Sequence, residues 1–231
     1  MNKIEVKDSK LNKDLKLDED TLVIYKNIEG NISFSVDKNI KIFIYLDSSC
    51  LDISFDIKEN STLNIFSFNT SLNTNLNLNK ENISLNYTYS TLNKDNNYYS
   101  LNINHNKEKI KTKIVNRSLN LENNPLDFTI NAFVPKTSIG VVTSQDNKIL
   151  LLKDNNASIK PNLLIDTDDV EAEHSAYIGD FNKEALFYLK SRGIKEKEAK
   201  EFLAKSFLIG NMNISYLERE IILNKLEEYW R

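Results

Sequence analysis

The chain has 231 residues, with 30 Lys and Arg against 33 Asp and Glu and a formal net charge of −3. This length is sufficient for a large domain with its own core, and the charge excludes a general basic field that attracts nucleic acid or an acidic membrane. The single cysteine, Cys50, excludes an internal disulfide and a metal site made of this chain's thiolates alone. No apolar run approaches the ~18 residues needed to span a bilayer, and no secretory signal is visible, so we expect a cytoplasmic protein.

Residues 1–21 are charged and weakly periodic, which indicates a short lead-in. From about residue 22 apolar and polar residues alternate, which is typical of strands with one buried face. The alternating apolar pairs include Phe34 and Val36, Ile42 and Ile44, Phe55 and Ile57, Leu76 and Leu78, Tyr87 and Tyr89, Leu101 and Ile103, and Ile130 and Ala132. Clusters of Asn, Asp, Ser or Lys separate these short strands. Because glycine is scarce, we expect Asn to supply the turns.

Two architectures fit this spacing. Short, regularly spaced strands are typical of a sandwich or barrel, and also of a parallel β-helix, in which inward residues stack from coil to coil. The tight hairpin dipeptides Asn-Gly and Asp-Gly are absent, and the outward positions are persistently polar. Both features favour the β-helix, although periodicity alone leaves both architectures open.

A helical period replaces the alternation after residue 180. Asn182 is a typical N-cap and Gly193 a typical C′ residue for a first helix, Lys183–Arg192. A second helix is predicted over Lys195–Leu208, with Gly210 as its terminator.

Ser215 and Glu218 have capping-box spacing at the start of a last helix. Strands followed by a block of helices indicate a β domain with a helical appendage. The predicted organisation is therefore a lead-in over 1–21, a strand-rich core over 22–179 and a helical subdomain over 180–231.

The sequence contains none of the common nucleotide-binding, zinc-protease or serine-hydrolase motifs. It does contain an acidic cluster, Asp166, Asp168, Asp169, Glu171 and Glu173. Such carboxylates suit a divalent-ion site or the groove of a carbohydrate-active β-helix enzyme. A solvated acidic turn is the favoured interpretation.

Four segments occur in a characteristic order: Gln145–Lys153 (QDNKILLLK), Pro161–Val170 (PNLLIDTDDV), Glu171–Gly179 (EAEHSAYIG) and Glu184–Gly193 (EALFYLKSRG). Together they resemble the C-terminal signature of the SufB/SufD family of iron–sulfur cluster assembly scaffolds. That pattern reads, loosely, Q-x-N-x-x-L-L-L-S, P-x-L-x-I-x-x-D-D-V, H-G-A-x-x-G and L-F-Y-L-x-S-R-G-I.

The resemblance implies a right-handed parallel β-helix with a C-terminal helical subdomain. It implies a non-catalytic scaffold that pairs as SufB with SufD, or with itself, and docks an ABC ATPase called SufC, which hydrolyses the ATP. Sulfur would come indirectly from a cysteine desulfurase system. An iron–sulfur cluster or iron would be bound transiently at the subunit interface, and not stably by the isolated chain. Neither nucleic acid nor a membrane is expected as a partner.

The family triplet H-G-A reads His174-Ser175-Ala176 here. The resemblance implies that His174 is a cluster or iron ligand, with the other ligands supplied by a partner chain; a hydrogen-bonded interface histidine is the alternative. Without a cysteine near His174 the chain is SufD-like. Cys50 and His105 are both expected in the core, although a sulfur-relay role for Cys50 stays open.

The last two helices carry large apolar side chains that the resemblance implies for docking of the ATPase: Phe202, Phe207, Leu217, Ile221, Leu226, Tyr229 and Trp230. The alternative is that these residues pack only within the protein. Two rival functions also stay open at this point. One is a carbohydrate-active enzyme that uses the acidic cluster, and the other is a structural β-solenoid of identical copies.

Overall fold

The computed structural model describes residues 2–19, 21–36, 41–47, 50–57, 62–68, 73–94, 97–153, 156–210 and 212–230. Within these ranges the chain forms thirteen strands followed by three helices. Neighbouring strands pair in parallel throughout this part of the chain, as they do in a solenoid. The predicted parallel β-helix with C-terminal helices is therefore confirmed, and the antiparallel sandwich or barrel is excluded.

The strands are β1 (Asn2–Leu17), β2 (Thr21–Val36), β3 (Lys41–Asp47), β4 (Cys50–Ile57), β5 (Thr62–Phe68), β6 (Asn73–Leu78), β7 (Ser84–Asn93), β8 (Asn97–His105), β9 (Lys111–Asn120), β10 (Leu126–Val134), β11 (Val141–Leu151), β12 (Ala157–Ile165) and β13 (Val170–Gly179). After β2, odd-numbered strands stack on one sheet and even-numbered strands on the other. Strand β2 joins the two sheets, because its first half pairs with β3 and its second half with β4. Each coil of the solenoid thus adds one strand to each sheet.

The first segment differs from its prediction. The sequence predicts a lead-in over residues 1–21, whereas Asn2–Leu17 form β1, which pairs with β2 along its whole length. The division of the chain into domains at residues 22 and 180 otherwise stays a prediction.

The inner faces of the two sheets form the main core. Aromatic side chains stack between coils: the ring centroids of Phe34 and Phe55 lie 5.2 Å apart, and those of Tyr99 and Phe128 lie 5.5 Å apart. Stacking of identical or similar residues in register is what a parallel solenoid imposes, because the same inward position recurs in each coil. The apolar alternation found in the sequence corresponds to this buried face.

Asparagine has a different principal role from the predicted one. Only Asn82, with a φ of 56°, occupies a left-handed turn among the asparagines of the described ranges. Many others form hydrogen-bonded ladders on the sheet surface. In one ladder Asn162 donates to Asn131, Asn131 to Asn102 and Asn102 to Asn75, each at 2.9–3.0 Å. Successive rungs are 27, 29 and 31 residues apart, so the coils lengthen toward the C-terminal end.

The helices are α1 (Lys183–Ser191), α2 (Glu196–Ile209) and α3 (Tyr216–Trp230). The predicted ends of α1 and α2 agree with the structure to within one residue. The Asn182 side chain accepts a hydrogen bond from the Ala185 amide at 2.8 Å, and Gly193 has a φ of 85°. The Ser215 amide donates to Glu218 Oε2 at 2.5 Å, and the Glu218 amide donates to Ser215 Oγ at 3.4 Å, which is the reciprocal capping box.

Helices α2 and α3 close a second core against the outer face of the odd-numbered sheet. Leu119 and Leu150 from the sheet meet Leu208, Ile222 and Leu226 from the helices. None of the helices is both long enough and apolar enough to cross a membrane, within the residues that the structure describes.

Candidate functional site at the C-terminal end of the solenoid

The solenoid ends in two strands that each have one neighbour in the described structure. Strand β12 pairs with β10, and β13 pairs with β11. Residues 171–178 of β13 are all exposed on both faces, whereas the inward residues of β11, one layer below, are buried. The described part of the chain therefore leaves this end of the core uncovered, with the free edges of two strands beside it.

His174 lies in the middle of β13, is exposed, and is in register with Gln145 of β11. Paired residues of adjacent parallel strands project to the same side of a sheet. Because Gln145 is buried inside the solenoid, His174 also lies on the inner face, on top of the last covered layer. Its neighbours on that face are Ala172 and Ala176, whose small side chains leave space around the imidazole.

Below His174 the inward face of the odd-numbered sheet is polar. Thr143, Gln145 and Asn147 occupy three successive inward positions of β11, and each is 1–2% exposed. Asn147 donates a hydrogen bond to the Ser175 carbonyl at 3.0 Å, which ties β11 to β13. Gln145 is different, because neither its amide nitrogen nor its amide oxygen has a hydrogen-bond partner. Leaving such a group unpaired in a core costs about 1–3 kcal/mol.

From the sequence, Gln145 is only the first residue of a signature segment, with no predicted role. A signal was present, since polar residues at three alternating positions of one strand are unusual for an inward face. Only the register of β11 under β13 shows that the middle residue of this polar set lies beneath the histidine.

The outer face of the same strands carries an ion-pair ladder. Ser175 Oγ donates to Asp146 Oδ1 at 2.9 Å, and Arg117 pairs with the other carboxylate oxygen while its Nη1 donates to the Asp146 carbonyl at 2.9 Å. Partial burial raises the pKa of Asp146, but the hydrogen bond and charge of Arg117 outweigh it, so the pKa is lowered. The Arg117 guanidinium also lies over the Phe207 ring of α2, 5.9 Å from its centroid. This ladder links the strand that carries His174 to helix α2.

The acidic cluster lies in and after the turn between β12 and β13, and its five side chains are all exposed. No set of three or more His, Cys, Asp or Glu side chains within the described ranges is placed to hold a metal ion. This arrangement supports the interpretation of a solvated acidic turn.

The predicted core position of His105 is confirmed, since the side chain is fully buried. Its Nδ1 lies 3.0 Å from the Phe133 carbonyl, which only accepts, so Nδ1 carries the proton. Its Nε2 then accepts from Thr112 Oγ at 3.0 Å, and Thr112 in turn accepts from Thr143 at 2.8 Å. Burial lowers the pKa of His105 to about 4.

The apolar residues proposed for docking have different exposures. Phe202 and Leu217 are 58% and 53% exposed, Phe207 and Ile221 are half-buried, and Leu226 is fully buried in the second core. The side chains of Tyr229 and Trp230 lie outside the described residues, as does that of Cys50, which begins β4.

Helix α1 adds two exposed aromatic residues that the docking prediction did not include. Phe187 is 74% exposed and Tyr188 is 57% exposed, with the Arg192 guanidinium 5.3 Å from the Tyr188 ring centroid. Both lie in the signature segment Glu184–Gly193, but the sequence does not show that their side chains are exposed.

The fold and this site define a parallel β-solenoid whose uncovered end carries a single exposed histidine and whose helices pack on one sheet. Residues 51–207 match the family described as "SUF system FeS cluster assembly, SufBD core domain". The chain therefore belongs to the SufBD family of iron–sulfur cluster assembly proteins.

Curated relatives agree with this assignment. The chain is 41% identical over 78 residues to "Protein ABCI7, chloroplastic" of Arabidopsis thaliana. It is 37% identical over 62 residues to the iron–sulfur cluster assembly protein SufD of Escherichia coli and 39% identical over 70 residues to SufD of Bacillus subtilis. These matches cover 33%, 27% and 30% of this chain, but only 16%, 15% and 16% of the respective relatives.

Proposed function

We propose that the chain is a non-catalytic, SufD-like scaffold subunit of a Suf-type complex, which pairs with a SufB-like subunit and docks a SufC-like ABC ATPase. The observation that carries this proposal is the position of His174. It is exposed, lies on the inner face of the last strand, and stands at an end of the solenoid that the described chain leaves uncovered.

The chemistry at His174 calls for a second chain. An imidazole is a suitable ligand for iron, and iron–sulfur clusters need several ligands. The described chain places no other His, Cys, Asp or Glu in a metal-binding group with His174. A partner that pairs with the free edges of β12 and β13 would cover the open core and bring its own ligands to the histidine. The cluster is thus cargo at a subunit junction, held transiently.

The helices offer the surface for the ATPase. Phe187, Tyr188, Phe202 and Leu217 are exposed apolar residues on three helices, and aromatic residues of this kind are typical anchors of protein interfaces. Closure of an ATPase dimer on ATP binding would move the docked helices and reshape the junction near His174. The Phe207, Arg117, Asp146 and Ser175 contacts connect the two regions.

The role of His174 is tested by co-expressing the chain with a SufB-like subunit and the ATPase, and by measuring iron and sulfide anaerobically. His174→Ala is expected to lower iron and sulfide in the complex several-fold while the subunits still co-purify. Glu173→Ala, an exposed neighbour on the opposite face of β13, is the matched control. Unchanged iron and sulfide in the His174 variant would reduce this histidine to an interface residue.

The docking role is tested by pull-down with the ATPase. Phe202→Asp is expected to weaken capture at least tenfold, because a charge replaces an exposed aromatic anchor. Tyr98→Asp is the control, since Tyr98 is similarly exposed, at 65%, but lies on the solenoid. Equal losses in the two variants would remove the helices from the docking surface.

A further inference from the structure

Within the described core, the Gln145 side chain has no hydrogen-bond partner at either its amide nitrogen or its amide oxygen. It is 2% exposed, so bulk solvent does not satisfy it. A primary amide offers two donors and an acceptor with two lone pairs, and buried amides are normally bonded. The unpaired amide therefore marks a place where something polar binds.

The surroundings offer the Gln145 amide few partners. In the layer below, the inward residue in register with Gln145 is Ile114, which is apolar and buried. Along β11, Thr143 bonds Thr112 and Asn147 bonds Ser175, so both flanking polar side chains are already engaged. Across the core, the inward residues of β12 are apolar: Ala157, Ile159, Pro161, Leu163 and Ile165. The Asn116 side-chain oxygen, on the strand below, is also unpaired, and the layer above holds His174, which is in register with Gln145.

We propose that Gln145 and His174 form one binding site for ferrous iron, in which the Gln145 carbonyl oxygen and an imidazole nitrogen are two ligands from the same chain. This proposal rests on the proposed function, because it concerns the iron brought to His174. The two residues are in register on adjacent strands, which lie about 4.8 Å apart, so their side chains reach a common ion. Ferrous iron accepts both an imidazole nitrogen and an amide oxygen.

The site is closed on the side of the buried Gln145 and open to solvent on the side of His174. Gln145 is fixed by burial, while Ala172 and Ala176 beside His174 leave the remaining coordination positions free for water or for ligands of a partner chain. The chain would thus present iron in a fixed orientation before a partner completes the site. Iron would thereby provide the Gln145 amide oxygen with a partner, which it lacks within the core.

The test uses Co²⁺ as a paramagnetic substitute for Fe²⁺ on the full chain, followed by NMR. The chain has two histidines, and His105 is buried, so the His174 ring signals are easily assigned. We expect Co²⁺ to shift or broaden the His174 ring signals and the Gln145 side-chain amide signals together, with one affinity. If the Gln145 amide signals stay unchanged when those of His174 move, or if no signal moves at excess Co²⁺, the proposal is wrong.

Variants separate this proposal from the proposed function. Gln145→Leu is expected to weaken Co²⁺ binding about tenfold and to raise the Tm, because leucine has nearly the same size and removes an unpaired amide from the core. Gln145→Glu is expected to strengthen binding, since a carboxylate is the better ligand. Ser144→Ala, on the outer face of the same strand, is the control and leaves binding unchanged.

The outcomes are distinct. If His174→Ala abolishes Co²⁺ binding and Gln145→Leu leaves it intact, the shared site is wrong and the role of His174 stands. If His174→Ala leaves Co²⁺ binding intact, the assignment of His174 as an iron ligand fails with it. A higher Tm together with weaker binding in Gln145→Leu is the combination that a purely structural glutamine does not give.

Discussion

The hydroxyl of Ser90 donates a hydrogen bond of 2.7 Å to the main-chain carbonyl of Leu208, and both residues are fully buried. Ser90 lies on the outer face of β7, and Leu208 lies in the last turn of α2, 118 residues later. Carbonyls in the last turn of a helix lack partners within the helix, so the solenoid supplies one. This bond holds α2 against the sheet in a defined position.

Replacing Ser90 with alanine should lower the free energy of unfolding by about 1–2 kcal/mol, because the buried Leu208 carbonyl loses its donor. Urea unfolding followed by circular dichroism measures the change. Ser100→Ala, a half-buried serine on β8 of the other sheet, provides the comparison and should change stability by less than about 0.5 kcal/mol. Equal effects of the two substitutions would mean that the contact does not hold the helix.

The buried His105 should make stability depend on pH. The pKa of His105 is about 4 in the folded protein and 6.5 in the unfolded chain. Between these pH values this histidine is therefore protonated in the unfolded chain but neutral in the folded protein. Stability is therefore complete above about pH 6.5, falls as the pH drops toward 4, and loses about 2–3 kcal/mol over this range. His105→Asn, which does not titrate, should be less stable at pH 7 but should show a flatter profile in urea unfolding.

His174→Ala is the internal control for that measurement. His174 is exposed, so its replacement shows what loss of a histidine outside the core does to the profile. A slope that disappears with His174 and persists without His105 would contradict the assignment.

The lowered pKa of Asp146 acts in a lower pH range. Its usual value is 3.8, and the folded state keeps the carboxyl ionised to lower pH through Arg117, so its contribution is present above about pH 4 and is lost as the pH falls below it. Protonation should free Ser175 and loosen β13. The protection of the β13 amides against hydrogen exchange, expressed relative to their intrinsic exchange rates, should therefore fall below pH 4 in the unsubstituted protein.

Asp146→Asn and Ser175→Ala should both give fast exchange of β13 at pH 7, with little change in β10, which belongs to the other sheet. Exchange that rises equally in both sheets would indicate general destabilisation and would argue against a local tie.

The asparagine ladder should contribute to stability unevenly along its length. Asn131 donates to Asn102 and accepts from Asn162, whereas Asn162 makes only the bond below it. Asn131→Ala should therefore cost about 1–2 kcal/mol and Asn162→Ala about half as much, measured by urea unfolding. Thr129→Ala, also an outward and half-buried position of β10, should cost less than either. A larger effect at Asn162 than at Asn131 would contradict the ladder.

The alternation in the sequence predicts β8 and β10, whose outer faces are polar, and misses β9, whose outer face is partly covered. Strands β8 and β10 alternate strictly, because one side of the chain is buried and the other is polar. Strand β9 was not predicted. Its second half, Val115–Asn120, is buried on both faces, since the helices lie on the outside, and this removes the alternation. Helix ends were predictable because caps such as Asn182 and Ser215 are local chemistry.

The candidate site divides in the same way. His174 was found from the signature, which is a local string of residues. The importance of Gln145 depends on a register between strands that are 29 residues apart and on which neighbours are already bonded, and neither is written in a local pattern. The apolar residues proposed for docking were likewise taken from the sequence. Their exposure was not predictable from it, since Leu226 is buried in the core and Phe187 is exposed.

The asparagine ladder also restricts how the coils are aligned. A slip by one residue would turn every inward side chain outward and is excluded by the core. A slip by two residues keeps the core alternation and, between β6 and β8, would still bring Asn77 opposite Asn102. Strands β10 and β12 lack this ambiguity, because Asn131 and Asn162 are the one asparagine of each strand, and a slip by two residues would separate them. A single amide in each of these two coils therefore sets their alignment, whereas repeated amides in the earlier coils leave alternative alignments possible.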